Sequence, residues 1–310
     1  MGWENSNRFF HTEYSTGDMP MPIHTMDGYQ TDVLTDMTID WLRTRRDDRP
    51  WFHVVSIEPP HPPNEAPAEY MRRFAEADIQ LRPNVDPEDP QIHYYRDRLR
   101  GYYAQIENLD HNIGRILAAL EAAGQLDNTI VFYFADHGEM MGSHGRLHKE
   151  VPEQESSNIP FIVRYPDRVP SGTVCDGLLS AVDIMPSLLG LIGIPIPESV
   201  EGQDLSRTLC GEQTSGADSV VFQFDRPFFS WKEHHELHIR GIRHGDWKYI
   251  VHHFPERSRL FHLGDDPYEM RNRWEDPACA QVKRKLHATL AAKLAALGDS
   301  FLEETCASCR

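Results

Sequence analysis

A chain of 310 residues, 40% hydrophobic and 25% charged, can bury one large core or a large domain with a smaller annex. Its net charge of −17, with no evident basic face, argues against a nucleic-acid partner, and no apolar run approaches the ~20 residues of a membrane helix. The five cysteines, odd in number and irregular in spacing, argue against a disulfide framework.

Residues 1–28 read as loop. The start is polar, without a basic leader or apolar core, which sets the expectation of a cytoplasmic protein. Thr31 and Asp32 can cap a helix with Val33, Leu34, Met37, Trp41 and Leu42 on its apolar face. It ends in the cations Arg43 to Arg46, before Pro50. Trp51–Ile57 reads as a short strand, and Glu58-Pro-Pro-His-Pro-Pro63 breaks regular structure. A proline-punctuated excursion covers 64–90. From Tyr94 a helical period runs through Leu99, Ile106, Ile113 and Leu120, with Gly124 as its C′ residue. Thr129–Ala135 and Ile159–Tyr165 read as strands, and Asp183 begins a helix carrying Leu188, Leu189 and Ile192.

This alternation predicts an α/β fold, with a largely parallel sheet covered by helices on both faces. After about residue 205 the character changes. Val220–Phe224 and Leu237–Val251 read as strands, the latter turning at Arg243-His-Gly-Asp246, and Val282–Leu297 as a helix. The expected organisation is an α/β domain over 1–205 and a small antiparallel α+β subdomain over 206–310.

The strand ending in Ala135 delivers Asp136, His137 and Gly138 to its C-terminal end, where open α/β sheets keep their sites. Adjacent residues of extended chain point to opposite sides, so both side chains reach one ion only if the strand is already turning, which Gly138 permits. A carboxylate plus an imidazole suits Mn²⁺, Zn²⁺ or Ca²⁺, the histidine arguing mildly against Ca²⁺. The competing reading is a helix-capping Asp followed by a surface His. The second His-Gly at His144-Gly145 and the lysine at Lys149 favour the metal site. Lys149 can return to the pocket as a point charge for an anionic oxygen, where a solvated surface lysine is the bland alternative. His144 and His148 are further candidates or plain loop residues. His61 lies between paired prolines that fix its backbone, which suits a general acid or anion donor as well as a turn residue. His234-His235-Glu236-Leu237-His238 lacks the spacing of a helical zinc motif and reads as exposed loop or strand; His252-His253 reads the same way. Cys306-Ala-Ser-Cys309, at the end of the chain, reads as a frayed tail rather than a zinc site.

In order along the chain stand Pro60-His61-Pro62, Asn108-Leu-Asp110 and Asp136-His-Gly-Glu139, then Gly142-Ser-His-Gly145 with Lys149. Ser156-Ser-Asn-Ile-Pro160, Val182-Asp-Ile-Met-Pro186, Trp247-Lys-Tyr-Ile250 and Leu260–Glu269 follow. Together these resemble the sulfatase family of the alkaline phosphatase superfamily. The Asp-His form is similar to phosphonate monoester hydrolases and choline-sulfatase-like members. The resemblance implies an alkaline-phosphatase-like fold and a metal-dependent hydrolase of sulfate esters, with a divalent ion (Mn, Ca or Zn) and a small anionic ester as substrate. It makes Asp136 and His137 metal ligands, and Lys149 and His61 contacts to the sulfuryl or phosphoryl oxygens. Family members also carry, upstream, paired acidic ligands and a Cys or Ser in a C/S-x-P/A-x-R motif. No cysteine here has Pro or Ala two places on and Arg four places on. The expectation is therefore a chain truncated at its N-terminus, its sheet incomplete and its nucleophile absent. A phosphonate monoester hydrolase or phosphodiesterase of the superfamily, one piece of a split enzyme, and an inactive binding protein are the alternatives.

Overall fold

The computed structural model describes residues 2–3, 7–15, 23–45, 49–229 and 234–305. The chain divides into two compact units, Met1–Ile130 with Met141–Arg146, and Val131–Met140 with Leu147–Arg310.

In the first unit, short antiparallel strands β1 (Gly2–Trp3), β2 (Glu13–Ser15) and β3 (Ile23–Thr25) precede three helices: α1 (Gln30–Thr44), α2 (Ala68–Phe74) and α3 (Ile92–Ala122). Asp32 does not cap α1. The N-cap is Tyr29, which makes no side-chain cap bond, and Asp32 Oδ1 accepts instead from Asn108 Nδ2 at 2.9 Å and Asn112 Nδ2 at 2.7 Å. Both asparagines are fully buried on α3, so this carboxylate ties α1 to α3 where amide donors would otherwise lack partners. Gly124, at φ +66, follows the end of α3 as expected.

Trp51–Ile57 is not a strand: among the described residues no ladder includes it. It keeps the two-residue side-chain alternation of extended chain. Trp51 and His53 pack on Trp41 of α1, with ring centroids 5.3 and 4.6 Å apart, while Phe52 and Val54 turn outward, 77% and 68% exposed.

The second unit holds a two-stranded ladder of β4 (Val131–Phe134) and β5 (Phe161–Arg164), with the helical turn α4 (Gln154–Ser157) on their connection. Helices α5 (Ile184–Ile192) and α6 (Ser206–Leu209) follow. Then β6 (Ser219–Phe229), β7 (His234–His244), β8 (Trp247–His252) and β9 (Arg259–His262) form an antiparallel sheet in sequence order. The β7–β8 turn holds Gly245 at φ +56, as its hairpin signature implies. The sequence His234-His235 opens β7, but the side chains of 234–237 lie outside the described residues, as does the Cys306–Cys309 motif. Helices α7 (Ala280–Ala296) and α8 (Phe301–Thr305) pack on this sheet. The period of α7 brings Leu286, Leu290 and Leu294 against Ile242, Tyr249 and Leu260.

The largely parallel sheet expected from the strand–helix alternation is not seen among the described residues, where every ladder is antiparallel. Alternation implies parallel strands only when successive strands share a sheet. Here Trp51–Ile57 joins none, and β5 returns beside β4 in the opposite direction. The antiparallel α+β character expected after residue 205 is present in β6–β9 and α7.

Leu290 is wholly buried. Leu290→Ala should lower the unfolding free energy by about 2–5 kcal/mol, read from the urea midpoint at unchanged slope.

Candidate metal and anion site

Beyond Phe134 the ladder ends and the chain turns within three residues. The Asp136 carboxylate accepts from the His137 backbone N–H at 2.9 Å, which folds it back toward the following side chain. Asp136 Oδ2 and His137 Nε2 then lie 3.6 Å apart. Two donors held ~2.1 Å from one ion lie about 3–3.4 Å apart, so a small approach brings this pair to a shared cation. The imidazole is already oriented: Nδ1 donates to the Gly138 carbonyl at 2.7 Å, leaving Nε2 as the nitrogen with a lone pair. Asp136 is exposed and His137 partly buried. A hard carboxylate beside an oriented imidazole fits a divalent cation.

Gly138 is fixed from the other side. Its N–H donates to the Ser156 carbonyl at 2.8 Å, and a Cβ there would stand 1.9 Å from the Glu155 carbonyl oxygen. The chain leaves the second unit at Met141 and returns at Leu147. The return is clasped by the Met140 N–H donating to the His148 carbonyl at 2.8 Å, and by Glu139, whose nearly buried carboxylate accepts from the His148 N–H. Lys149 follows directly. The residues on either side of it hold left-handed backbone, His148 at φ +69 and Glu150 at φ +72. Such conformations are costly for residues with a side chain and gather at functional sites.

Asp136, His137 and Lys149 line one cavity of about 2030 Å³ within the second unit, together with Gln154, Arg164 and Arg243. The cations Lys149, Arg164 and Arg243 share the lining with the carboxylates of Asp136, Glu150, Asp176 and Asp225, so positive charge for an anionic ester is supplied by individual side chains and not by the cavity as a whole.

His61 lies in the first unit. Its Nδ1 donates to the Pro62 carbonyl at 2.7 Å. From α3, Gln105 Nε2 donates to the carbonyls of His61 and Pro63 at 3.3 and 3.2 Å, and its Oε1 accepts from Asn64 at 3.0 Å. Gly101 leaves the room for this loop, since a Cβ there would meet the Asn64 carbonyl oxygen at 2.1 Å. His144 is also of the first unit; its N–H donates to the Asn84 carbonyl at 2.9 Å. The structure therefore gathers three of the four candidate residues and places His61 on a separately braced loop.

The sulfatase family model matches residues 2–194, more than half of the chain. The chain belongs to the sulfatase family. A second model, the C-terminal region of N-sulphoglucosamine sulphohydrolase, matches residues 142–296. The ulvan-active sulfatase of Formosa agariphila is 35% identical over 274 residues, covering 87% of this chain and 52% of its own. A Bacteroides fragilis crystal structure assigned to the sulfatases superposes with TM-score 0.86 at 26% identity, over 97% of this chain and 66% of that one. The phosphonate monoester hydrolase of Agrobacterium radiobacter gives 0.73 at 26%, over 85% and 60%. The fold is thus that of the alkaline-phosphatase-like sulfatases. This sulfatase chain spans about half the length of the relatives it matches.

Glu139, Gln154 and Ser156 fix the turn and its return, and sequence reasoning gave them no role. Glu139 stands inside the motif itself, and its short polar neighbourhood was the one available signal.

Gly138→Ala should destabilise the fold by about 1–3 kcal/mol through the clash with Glu155. Gly114→Ala, on α3 with open space around it, should be neutral or stabilising by up to about 1 kcal/mol. Thermal melting of the two variants checks the contrast.

Proposed function

We propose that this chain carries the downstream part of the active site of a divalent-metal-dependent hydrolase of sulfate esters. The observation that carries the reading is the Asp136–His137 turn, which brings a carboxylate oxygen and an oriented imidazole nitrogen within 3.6 Å in a cavity that Lys149 also lines. Asp136 and His137 would hold the ion, with further ligands from outside the two residues. A divalent ion in this family neutralises charge that develops on the ester oxygens. Lys149 supplies a fixed positive charge to a non-bridging oxygen of the sulfuryl group. By its resemblance to the family motif, His61 would contact an ester oxygen or protonate the leaving group. The formylglycine-type nucleophile of the family has no counterpart among the cysteines of this sequence, so turnover would require polypeptide beyond these 310 residues.

Asp136→Ala should remove most bound metal after incubation with Mn²⁺ and desalting. Elemental analysis checks this, and unchanged content would refute the ligand role.

A second reading rests on the superposition with a phosphonate monoester hydrolase and on the Asp-His form of the metal turn. Sulfuryl and phosphoryl transfer place similar charge on similar oxygens, so the same residues would serve either. With the chain expressed together with any in-frame upstream sequence, aryl sulfate turnover should exceed aryl phosphonate turnover. Equal or reversed preference would decide for the second reading.

A further inference from the structure

The most deeply buried charges of the second unit are a pair. Lys248 on β8 and Glu269, beyond β9, have fully buried side chains, with Nζ and Oε1 2.8 Å apart. Removing two charges from water is costly, and a well-packed apolar pair in such a place is often as stable or more so. Burial pushes the Lys248 ammonium down, with Glu269 opposing it. Glu269 also holds left-handed backbone at φ +54. By the pleat Lys248 lies on the face of Ile250 and of its cross-strand partner Phe261, opposite the face that packs under α7, so this pair is set among apolar side chains.

Both charges meet a third residue. Glu269 Oε2 accepts the Gln154 backbone N–H at 2.7 Å, and Lys248 Nζ donates to the Gln154 side-chain oxygen at 3.3 Å. Glu153, one residue earlier and almost wholly buried, is paired with Arg259 of β9. The segment 153–154 is thus bolted to β8 and β9 at its two side chains and to Glu269 at its backbone. Two residues further on, the Ser156 carbonyl receives the Gly138 N–H. That contact fixes the turn carrying Asp136 and His137, and a Cβ at Gly138 would have no room against Glu155.

We propose that Lys248 and Glu269 are positioning residues of the metal turn, acting through Gln154 and the Ser156–Gly138 hydrogen bond. The inference rests on the reading of Asp136 and His137 as metal ligands. Neither Lys248 nor Glu269 lines the cavity that holds Asp136, His137 and Lys149. They hold the segment against which the ligand turn is registered, so the geometry of the site is set in part by the antiparallel sheet. An acceptor at position 269 for the Gln154 N–H is the required feature, rather than the charge itself.

The test uses the full chain and two double variants. K248M/E269L removes both charges and the acceptor. K248M/E269Q removes both charges but keeps an amide oxygen for the Gln154 N–H. The first readout is amide hydrogen exchange at Gly138, with Ile242 in the β6–β7 ladder as reference. In K248M/E269L, Gly138 should exchange about tenfold faster while Ile242 changes little, a local opening rather than a global one. K248M/E269Q should restore most of the protection at Gly138, the shortfall reflecting the Lys248 hydrogen bond to the Gln154 side chain that both variants lose. Unchanged exchange at Gly138 in K248M/E269L overturns the proposal. So does equal loss at Gly138 and Ile242, or failure of that variant to fold while K248M/E269Q leaves Gly138 unprotected, because the pair is then only a stability element. Mn²⁺ binding, followed by its paramagnetic effect on water relaxation, is the second readout. It should weaken about tenfold in K248M/E269L, in the range seen when supporting contacts of metal ligands are removed. Asp136→Ala separates the two readings. If it leaves Mn²⁺ binding intact the ligand assignment fails, whereas the exchange result still decides whether Lys248 and Glu269 hold the turn.

Discussion

The arrangement depends on one close approach of backbone to backbone. Gly138 lies so near the Glu155 carbonyl that no side chain fits, and its N–H reaches the neighbouring Ser156 carbonyl. That contact converts the end of an ordinary strand into a tight turn in which consecutive residues present their side chains together. Without it Asp136 and His137 would diverge, as the pleat of extended chain dictates. The hydrogen bonds that follow are refinements of this constraint: the His137 N–H fixes the carboxylate, and the Gly138 carbonyl fixes the imidazole.

A site of this kind needs charge in places where charge is costly, and the second unit spends polar residues accordingly. Glu139 is nearly buried, and Glu153 and Glu269 are buried with specific partners, Arg259 and Lys248. The partners come from the antiparallel sheet, which has its own apolar core under α7. A rigid, separately packed sheet is a firm base for a loop whose residues must not drift. The left-handed residues on both sides of Lys149 belong to the same economy of placement: local strain is tolerated because surrounding hydrogen bonds over-determine the chain.

The elements with strong local signals were legible in the sequence. The 3.6-residue period gave α3, ended by Gly124, and the glycine of the turn gave the β7–β8 hairpin. The place of Asp136 and His137 just past a strand end was legible because an apolar run stops abruptly there. What was hidden depends on partners far along the chain. Asp32 looked like a cap because capping residues are recognised by position, yet its acceptors' demand comes from Asn108 and Asn112, some eighty residues later. Strand direction was equally hidden, since side-chain alternation is the same in a parallel ladder, an antiparallel one or none. Lys248 and Glu269 gave no signal because each alone resembles a surface charge, and only the fold makes them a buried pair.

The extended segment 51–57 has a bearing on how the molecule behaves in solution. One side is glued to α1 by Trp51 and His53, while Phe52 and Val54 stand in water on straight backbone outside any ladder. A flat apolar edge of this sort is a template for another strand, and folded proteins ordinarily cover it, bend it or arm it with charge. Among the described residues, Phe52 and Val54 lie in no ladder and remain exposed. Val54→Lys would place a charge on this exposed side and oppose pairing with a strand of another molecule.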